Sequence, residues 1–434
     1  LVPSDFAPAH FCAGAIFRLN IHVKGRVMKH RLKAILLLTT GLLAATVAPA
    51  QDDETIYKQR LEKLLTSAPL DTLYQPLEPV PGAASIVPLP HATANARSIT
   101  DAALAEAAAY AVESKASAFM VWHKGALQAE IYGDGVNVTT ALPSKSLSKP
   151  MTGIVIGRAI QLGLIKSLDQ PVADFITEWK GTPKAAMLIR HLLDMRTGFL
   201  EQGFNADPDH PWNRAYLSTD HGAYIVNQYP LTDAPGTRYG YSNATSELIA
   251  LVVERASGRR YADFVGQEVL APVGAPGGQV WVNRVGGLAH SGCCMMVPAQ
   301  VWLRLAILLL NDGVADGKRL LPAGYVKQMV TGTPQNPRYG LGVWLAGSYV
   351  ERRGFGAPGA PGPSILHSEP YLDRDLYLFD GNGSQTVFIS PQTGIIALRL
   401  GNNPPKGMDW DNSRLPNILI RGLKNKMKIE PQPR

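Results

Sequence analysis

The chain has 434 residues, 46% hydrophobic and 18% charged, which is the composition of a soluble globular protein with enough apolar material for a sizeable core. Its formal charge of +7 is concentrated in residues 1–50, which hold six Lys/Arg and one acidic residue and leave 36 against 34 in the remainder. That near balance removes most of the case for nucleic-acid binding.

In chain order, residues 1–27 read as a leader before a start at Met28, and residues 28–50 as a signal peptide. Lys29–Lys33 form a basic n-region, Ala34–Val47 an apolar h-region too short to span a bilayer, and Ala48-Pro49-Ala50 a cleavage signal. The expectation is an exported protein, periplasmic or secreted, with no stable membrane anchor after cleavage. Residues 51–97 form an N-terminal extension, helical over 51–65, then a proline-rich extended linker over 66–97. Thr100 caps a helix over Asp101–Glu113. Ala118–Trp122 and Leu127–Tyr132 flank Lys124-Gly125 as a β-hairpin. The apolar run Met151–Leu164 reads as a helix, and helical patterns dominate to about Val330. Strands are expected at Gly340–Leu345, Thr386–Ser390 and Gly394–Leu400, followed by a last helix ending near Lys428. In that helix Leu415, Ile418, Leu419, Leu423 and Met427 are the apolar face, and Arg421, Lys424, Lys426 and Lys428 the solvated one. The fold class is therefore α/β (α+β): one domain over 98–434, with a sheet part from both chain ends (about 98–145 and 336–434) and a helical part between (about 146–335). The glycine- and proline-rich stretch 353–363 is either a surface turn or a rim beside a site. Cys293 and Cys294 are adjacent with no metal-ligand spacing; two buried thiols are expected, with a vicinal disulfide as the alternative for an exported protein.

The chemistry concentrates in Ser146-Leu147-Ser148-Lys149. Residues three apart share a helix face, so the Lys149 ammonium can reach the Ser146 hydroxyl. A serine hydroxyl needs an adjacent base to become a nucleophile, and an enclosed lysine can serve. Tyr241-Ser242-Asn243 follows about ninety residues on, before a helical run over Ser246–Ala256. The Tyr241 phenol could relay a proton between Ser146 and the leaving group, and Asn243 could hold Lys149 or a substrate carbonyl. His191 reads as a satisfied core histidine. There is no G-x-S-x-G and no H-E-x-x-H, which disfavours a Ser-His-Asp hydrolase and a zinc protease.

These motifs resemble the penicillin-recognising serine hydrolases: class C β-lactamases, DD-peptidases, their esterase relatives and the 6-aminohexanoate-dimer hydrolases. The markers run from about Arg97 to Lys428: the Ser146–Lys149 motif, Leu168-Asp-Gln-Pro-Val172, Arg190–Leu193 with Thr197-Gly198, Pro235-Gly236, Tyr241–Asn243, Ser291-Gly292 and Tyr339–Gly342. Leu193–Met195 and Asn205–Asp209 look most like the 6-aminohexanoate branch. The resemblance implies a β-lactamase-like fold, an acyl-enzyme at Ser146, and Lys149 with Tyr241 as base and acid. It also implies an oxyanion hole from the N–H groups of Ser146 and Asn382, and no cofactor or metal. The expected partner is a small ester or amide. Asn243, Asn205, Asp380, Gly381 and Gly383 are the substrate-binding candidates. Where relatives carry Lys or His on the third motif strand, this chain has Asp380, which is expected to repel a substrate carboxylate. The expected activity is that of a carboxylesterase or 6-aminohexanoate-type amidase. The alternatives are a β-lactamase or DD-peptidase, and a penicillin-binding sensor that does not turn over.

Overall fold

The computed structural model describes residues 52–67, 70–203 and 205–433. The expected leader and signal peptide lie outside them. Six strands form an antiparallel sheet in the spatial order Ala126–Tyr132, Ala116–His123, Ile395–Gly401, Gln385–Ser390, Tyr377–Gly381 and Trp344–Leu345. Strands from both ends of the sequence thus lie side by side, with Ala116–His123 paired to Ile395–Gly401.

Side chains alternate across a strand, and here both faces are covered. Phe119, Val121, Leu378, Phe388 and Ala397 pack against the helices Asp101–Glu113 and Arg414–Arg421. Met120, Phe379, Val387, Ile389 and Leu398 face the helical part. Each fully buried side chain of the size of Phe388 or Leu398 contributes about 1.5–3 kcal/mol, so burial on both faces stabilises the sheet.

A second, four-stranded sheet positions the nucleophile. Its order is Leu77–Val80, Gly278–Trp281, Met295–Pro298 and Ala141–Pro143. The last strand leads directly into Ser146. Ser144 locks the turn: its N–H donates to the Met295 carbonyl (2.8 Å), its Oγ accepts from Met295 N–H (3.0 Å), and it lies 2.8 Å from Ser148 Oγ.

Several expected elements differ. The stretch expected as an extended linker also contributes to the core. Leu73 and Tyr74 are buried, Tyr74 stacks on Trp281 at 5.3 Å, and Leu77–Val80 adds an edge strand, a position that tolerates Pro79. The helix expected over Met151–Leu164 spans Ser148–Gln161. The strand expected at Gly340–Leu345 is reduced to Trp344–Leu345, because Gly342 adopts the left-handed region (φ 82°) while packing against the start of the Ser148–Gln161 helix. The last helix ends at Arg421, where Lys424 N–H donates to the Ser98 carbonyl. Lys424, Lys426 and Lys428 therefore lie beyond it, and Met427 is exposed rather than part of an apolar face. Among the described residues no helix is long and apolar enough to cross a membrane.

Candidate active site

Ser146 sits in a 3-10 turn, Lys145–Leu147, immediately before the helix Ser148–Gln161. Pro150 occupies the first turn of that helix, where its missing N–H costs nothing. One turn on from Ser146, Lys149 is buried, and its Nζ lies 3.2 Å from Ser146 Oγ. Two further contacts fix it: Nζ donates to Asn243 Oδ1 at 2.7 Å and to the Gly292 carbonyl at 3.0 Å. Both partners can only accept. A neutral amine held there, with its two N–H groups on these acceptors, would present its lone pair to the Ser146 hydroxyl. The same three contacts suit an ammonium after it has taken the serine proton.

Asn243 begins the helix Asn243–Ser257, and its N–H donates to Gln202 Oε1 (2.9 Å). Gln202 N–H in turn donates to the Tyr241 carbonyl (2.9 Å), so Gln202 clamps the Tyr241–Asn243 turn from both sides. The Tyr241 ring lies over Lys149, 4.8 Å from Nζ to its centroid. Tyr339, Trp344 and Phe355 hold that ring. Among the described residues the Tyr241 hydroxyl makes no hydrogen bond to Ser146 or Lys149; the ring face, rather than the phenol oxygen, meets the lysine. Phe355 belongs to the stretch 353–363, which therefore forms a rim beside Tyr241 instead of a detached turn.

Ser146, Asn243, Gln202 and Asn382 line one cavity of about 490 Å³. Neither the Ser146 nor the Asn382 N–H donates to another described residue. Both are thus available to a ligand oxygen, as an oxyanion hole requires. Gly381 lets its strand run against the nucleophile turn, since a Cβ there would lie 3.1 Å from Leu147 N. Gly383 follows in the tight connection to Gln385–Ser390 with φ 78°.

Two substrate-binding candidates are not at the site. Asp380 is buried on the opposite side of its strand, ion-paired with Arg353 and 3.4 Å from Asn412 Nδ2. The Arg353 guanidinium also stacks on Trp344 at 3.9 Å. Burial pushes the Asp380 carboxyl above the usual range, and Arg353 opposes the shift. Asp380 therefore does not face substrate, and the expected repulsion of a carboxylate has no structural basis. Asn205 is exposed, and its Oδ1 accepts from Asp207 N–H (2.9 Å) while its carbonyl accepts from Asn213 (2.8 Å). It shapes its own loop. His191 Nδ1 accepts from Leu188 N–H at 3.2 Å and stays in the core.

Sequence reasoning missed Gln202, Lys145, Asn403 and the wall contributed by Lys63, Leu64, Leu70, Leu73 and Tyr74, all of which line the cavity. Of the two states open to Cys293 and Cys294, the structure has the disulfide rather than the two thiols expected first. Cys294 takes a left-handed backbone (φ 76°), which turns its side chain back toward its neighbour. Cys293 reaches the cavity wall.

Behind this wall His221, Glu247 and His290 are fully buried, with ligand atoms within 4.8 Å of one another. The two imidazoles stack at 4.0 Å and 11°, so an ion in the plane of one ring lies outside the plane of the other. Coordination by both would require a ring to rotate. Burial pushes the Glu247 carboxyl up to about 7 and both imidazoles well below their ordinary range. A carboxyl that titrates at 4.5 unfolded and about 7 folded contributes fully below pH 4.5 and loses that contribution as the pH rises through 7. The loss is on the order of 3 kcal/mol. Glu247→Gln is expected to gain stability relative to the native chain by that order between pH 5 and pH 8, measured by urea unfolding at both. A pH-independent difference would mean that Glu247 does not ionise in this range.

The family signature described as Beta-lactamase matches residues 104–414. The chain belongs to this family, and it is a serine hydrolase of the β-lactamase-like class. It is 26% identical over 231 residues to a 6-aminohexanoate-dimer hydrolase of Paenarthrobacter ureafaciens, covering 51% of this chain and 58% of that one. It is 29% identical over 153 residues to penicillin-binding protein 4* of Bacillus subtilis (strain 168), covering 32% and 30%. The chain thus matches less than two thirds of the length of either relative. A Bacillus anthracis structure provisionally titled 6-aminohexanoate-dimer hydrolase superposes with a TM-score of 0.58 at 19% identity, covering 79% of this chain and 90% of that one, and shares the fold.

Proposed function

We propose that the protein hydrolyses a carboxylic ester or a small amide through an acyl-enzyme on Ser146. The observation that carries this reading is the position of Lys149 Nζ, tethered by two acceptors and facing Ser146 Oγ at 3.2 Å. Ser146 Oγ attacks the carbonyl carbon as its proton passes to Lys149. The oxyanion forms against the N–H groups of Ser146 and Asn382. The carbon–oxygen or carbon–nitrogen bond to the leaving group breaks, and that group takes the proton, with Tyr241 as relay once substrate draws the site together. Water then cleaves the Ser146 ester by the reverse proton path. The relative named for 6-aminohexanoate dimer makes that amide a candidate substrate beside simple esters. Export goes with this reading, and its support is the leader-like sequence of residues 28–50.

The test is rapid mixing with p-nitrophenyl acetate. A stoichiometric burst followed by steady turnover is expected. A burst with no turnover would favour a sensor that is only acylated, and no burst together with no acyl adduct on Ser146 would overturn the reading.

A further inference from the structure

Cys293 and Cys294 join the backbone group that holds Lys149 to the one that holds the nucleophile turn. On one side the Gly292 carbonyl accepts from Lys149 Nζ at 3.0 Å. On the other, Met295 exchanges two hydrogen bonds with Ser144: its carbonyl accepts from Ser144 N–H at 2.8 Å and its N–H donates to Ser144 Oγ at 3.0 Å. The disulfide closes the two residues between them into a small covalent ring. Within that ring Cys294 keeps φ 76°, a left-handed backbone that a side chain rarely adopts. Such a conformation persists only where the surroundings hold it. The segment has further anchors: Ser291 Oγ donates to the Ser246 carbonyl at 2.8 Å, and Trp281 N–H donates to the Cys294 carbonyl at 3.0 Å. The peptide that carries the Gly292 carbonyl has none of these. Among the described residues its N–H, that of Cys293, donates to no backbone carbonyl. The ring therefore sets where the Cys293 Cα sits, and with it the direction of the carbonyl that tethers Lys149. Breaking the bond would free Cys294 from its left-handed backbone, and two thiol sulfurs need more room than a bonded pair. That room is limited, since the Tyr216 hydroxyl lies 3.5 Å from Cys294 Sγ and 3.7 Å from Cys293 Sγ, and Glu247 Oε1 lies 3.9 Å from Cys293 Sγ. A thiol at Cys293 would also gain an S–H to turn toward Glu247.

We propose that the Cys293–Cys294 disulfide is a positioning element for Lys149, so that Ser146 is acylated fast with the bond formed and slowly when two thiols replace it. The inference rests on the hydrolase reading above and adds a regulation to it, in which the redox state of one bond sets the rate. Cys293 lines the cavity, so a small reductant reaches the bond by the opening that substrate uses. Reducing compartments disfavour such a bond and oxidising ones keep it, so the rate follows the compartment in which the chain resides.

The test compares the native chain with its dithiol form in rapid mixing with p-nitrophenyl acetate. A water-soluble trialkylphosphine breaks the S–S bond: the phosphine supplies two electrons, and water supplies the two protons and leaves its oxygen on phosphorus. Where the folded chain resists it, the dithiol is made by unfolding in urea, reducing, and refolding under the phosphine. After desalting under argon, alkylation of a quenched aliquot and the peptide mass show that both cysteines are free. The dithiol form is expected to lose about 10- to 100-fold in the acylation rate at saturating ester, with the half-saturating ester concentration unchanged. Oxidised glutathione, which takes the two electrons and two protons and leaves as two molecules of glutathione, should restore the rate. The double variant Cys293→Ser, Cys294→Ser should be slow in the same way and indifferent to both reagents. A dithiol form or a double variant that acylates at the native rate overturns the proposal. So does a change confined to the half-saturating concentration, which would make the disulfide only part of the cavity wall. A loss that reoxidation does not reverse, or a dithiol form without a cooperative melting transition, overturns it too, since the bond would then serve the fold as a whole. In each of these results the oxidised chain still shows its burst. No burst and no acyl group on Ser146 in the oxidised chain sinks the hydrolase reading together with this inference.

Discussion

Ser146→Ala is expected to lower kcat for p-nitrophenyl esters by at least about 10⁴-fold while the fold stays intact. The Ser146 hydroxyl makes one side-chain contact, to Lys149 Nζ, and no backbone hydrogen bond depends on it. The turn that carries it is held instead by Ser144, whose bonds to Met295 and Ser148 the substitution leaves in place. Alanine should therefore preserve the cavity and remove only the attacking oxygen. The checks are steady-state rates, the melting temperature, and intact mass after exposure to a p-nitrophenyl ester, in which the alanine variant should show no acyl adduct. Activity surviving within tenfold would place the nucleophile elsewhere.

Lys149→Arg should be nearly as damaging, with a loss of at least about 10³-fold. Arginine keeps the positive charge but has no lone pair to accept the serine proton at any usable pH. Its planar fork also cannot reproduce contacts that converge on a single nitrogen from Asn243, Gly292 and Ser146. The larger head must be fitted into a buried site, a cost of about 1–3 kcal/mol in stability. Lys149→Met, which removes the charge without adding a guanidinium, separates the effects: both variants should be inactive, with the methionine variant the more stable. An arginine variant with native kcat/KM would show that Lys149 supports the site by charge alone.

The features legible in the sequence are those with local causes. The hairpin at Lys124-Gly125, the Thr100 cap and the strands 385–390 and 395–401 follow from turn chemistry and short apolar runs. Ser146 and Lys149 meet because they are one helical turn apart. What escaped depends on distant segments. Asp380 occupies the motif position, but the side of the strand it faces, and its pairing with Arg353, are set by a hairpin 27 residues earlier in the chain. Asn403 reaches Lys145 across 258 residues. The left-handed backbone at Cys294 and Lys145 leaves no mark in composition, since neither is a glycine. Lys145 was hidden in plain view beside the motif, because a lysine in a turn ordinarily means only solvent.

The family signature begins at residue 104, yet Lys63, Leu64, Leu70, Leu73 and Tyr74 wall the cavity from outside that stretch. Part of the cavity wall thus lies upstream of the stretch that carries Ser146, Lys149 and Asn243. These wall residues sit on the helix Asp53–Leu65, on the short helix Leu70–Leu73 and directly after it. Exchanging residues 52–75 among related hydrolases would then act like changing the die in a press: the stroke stays the same and the shape it accepts is new.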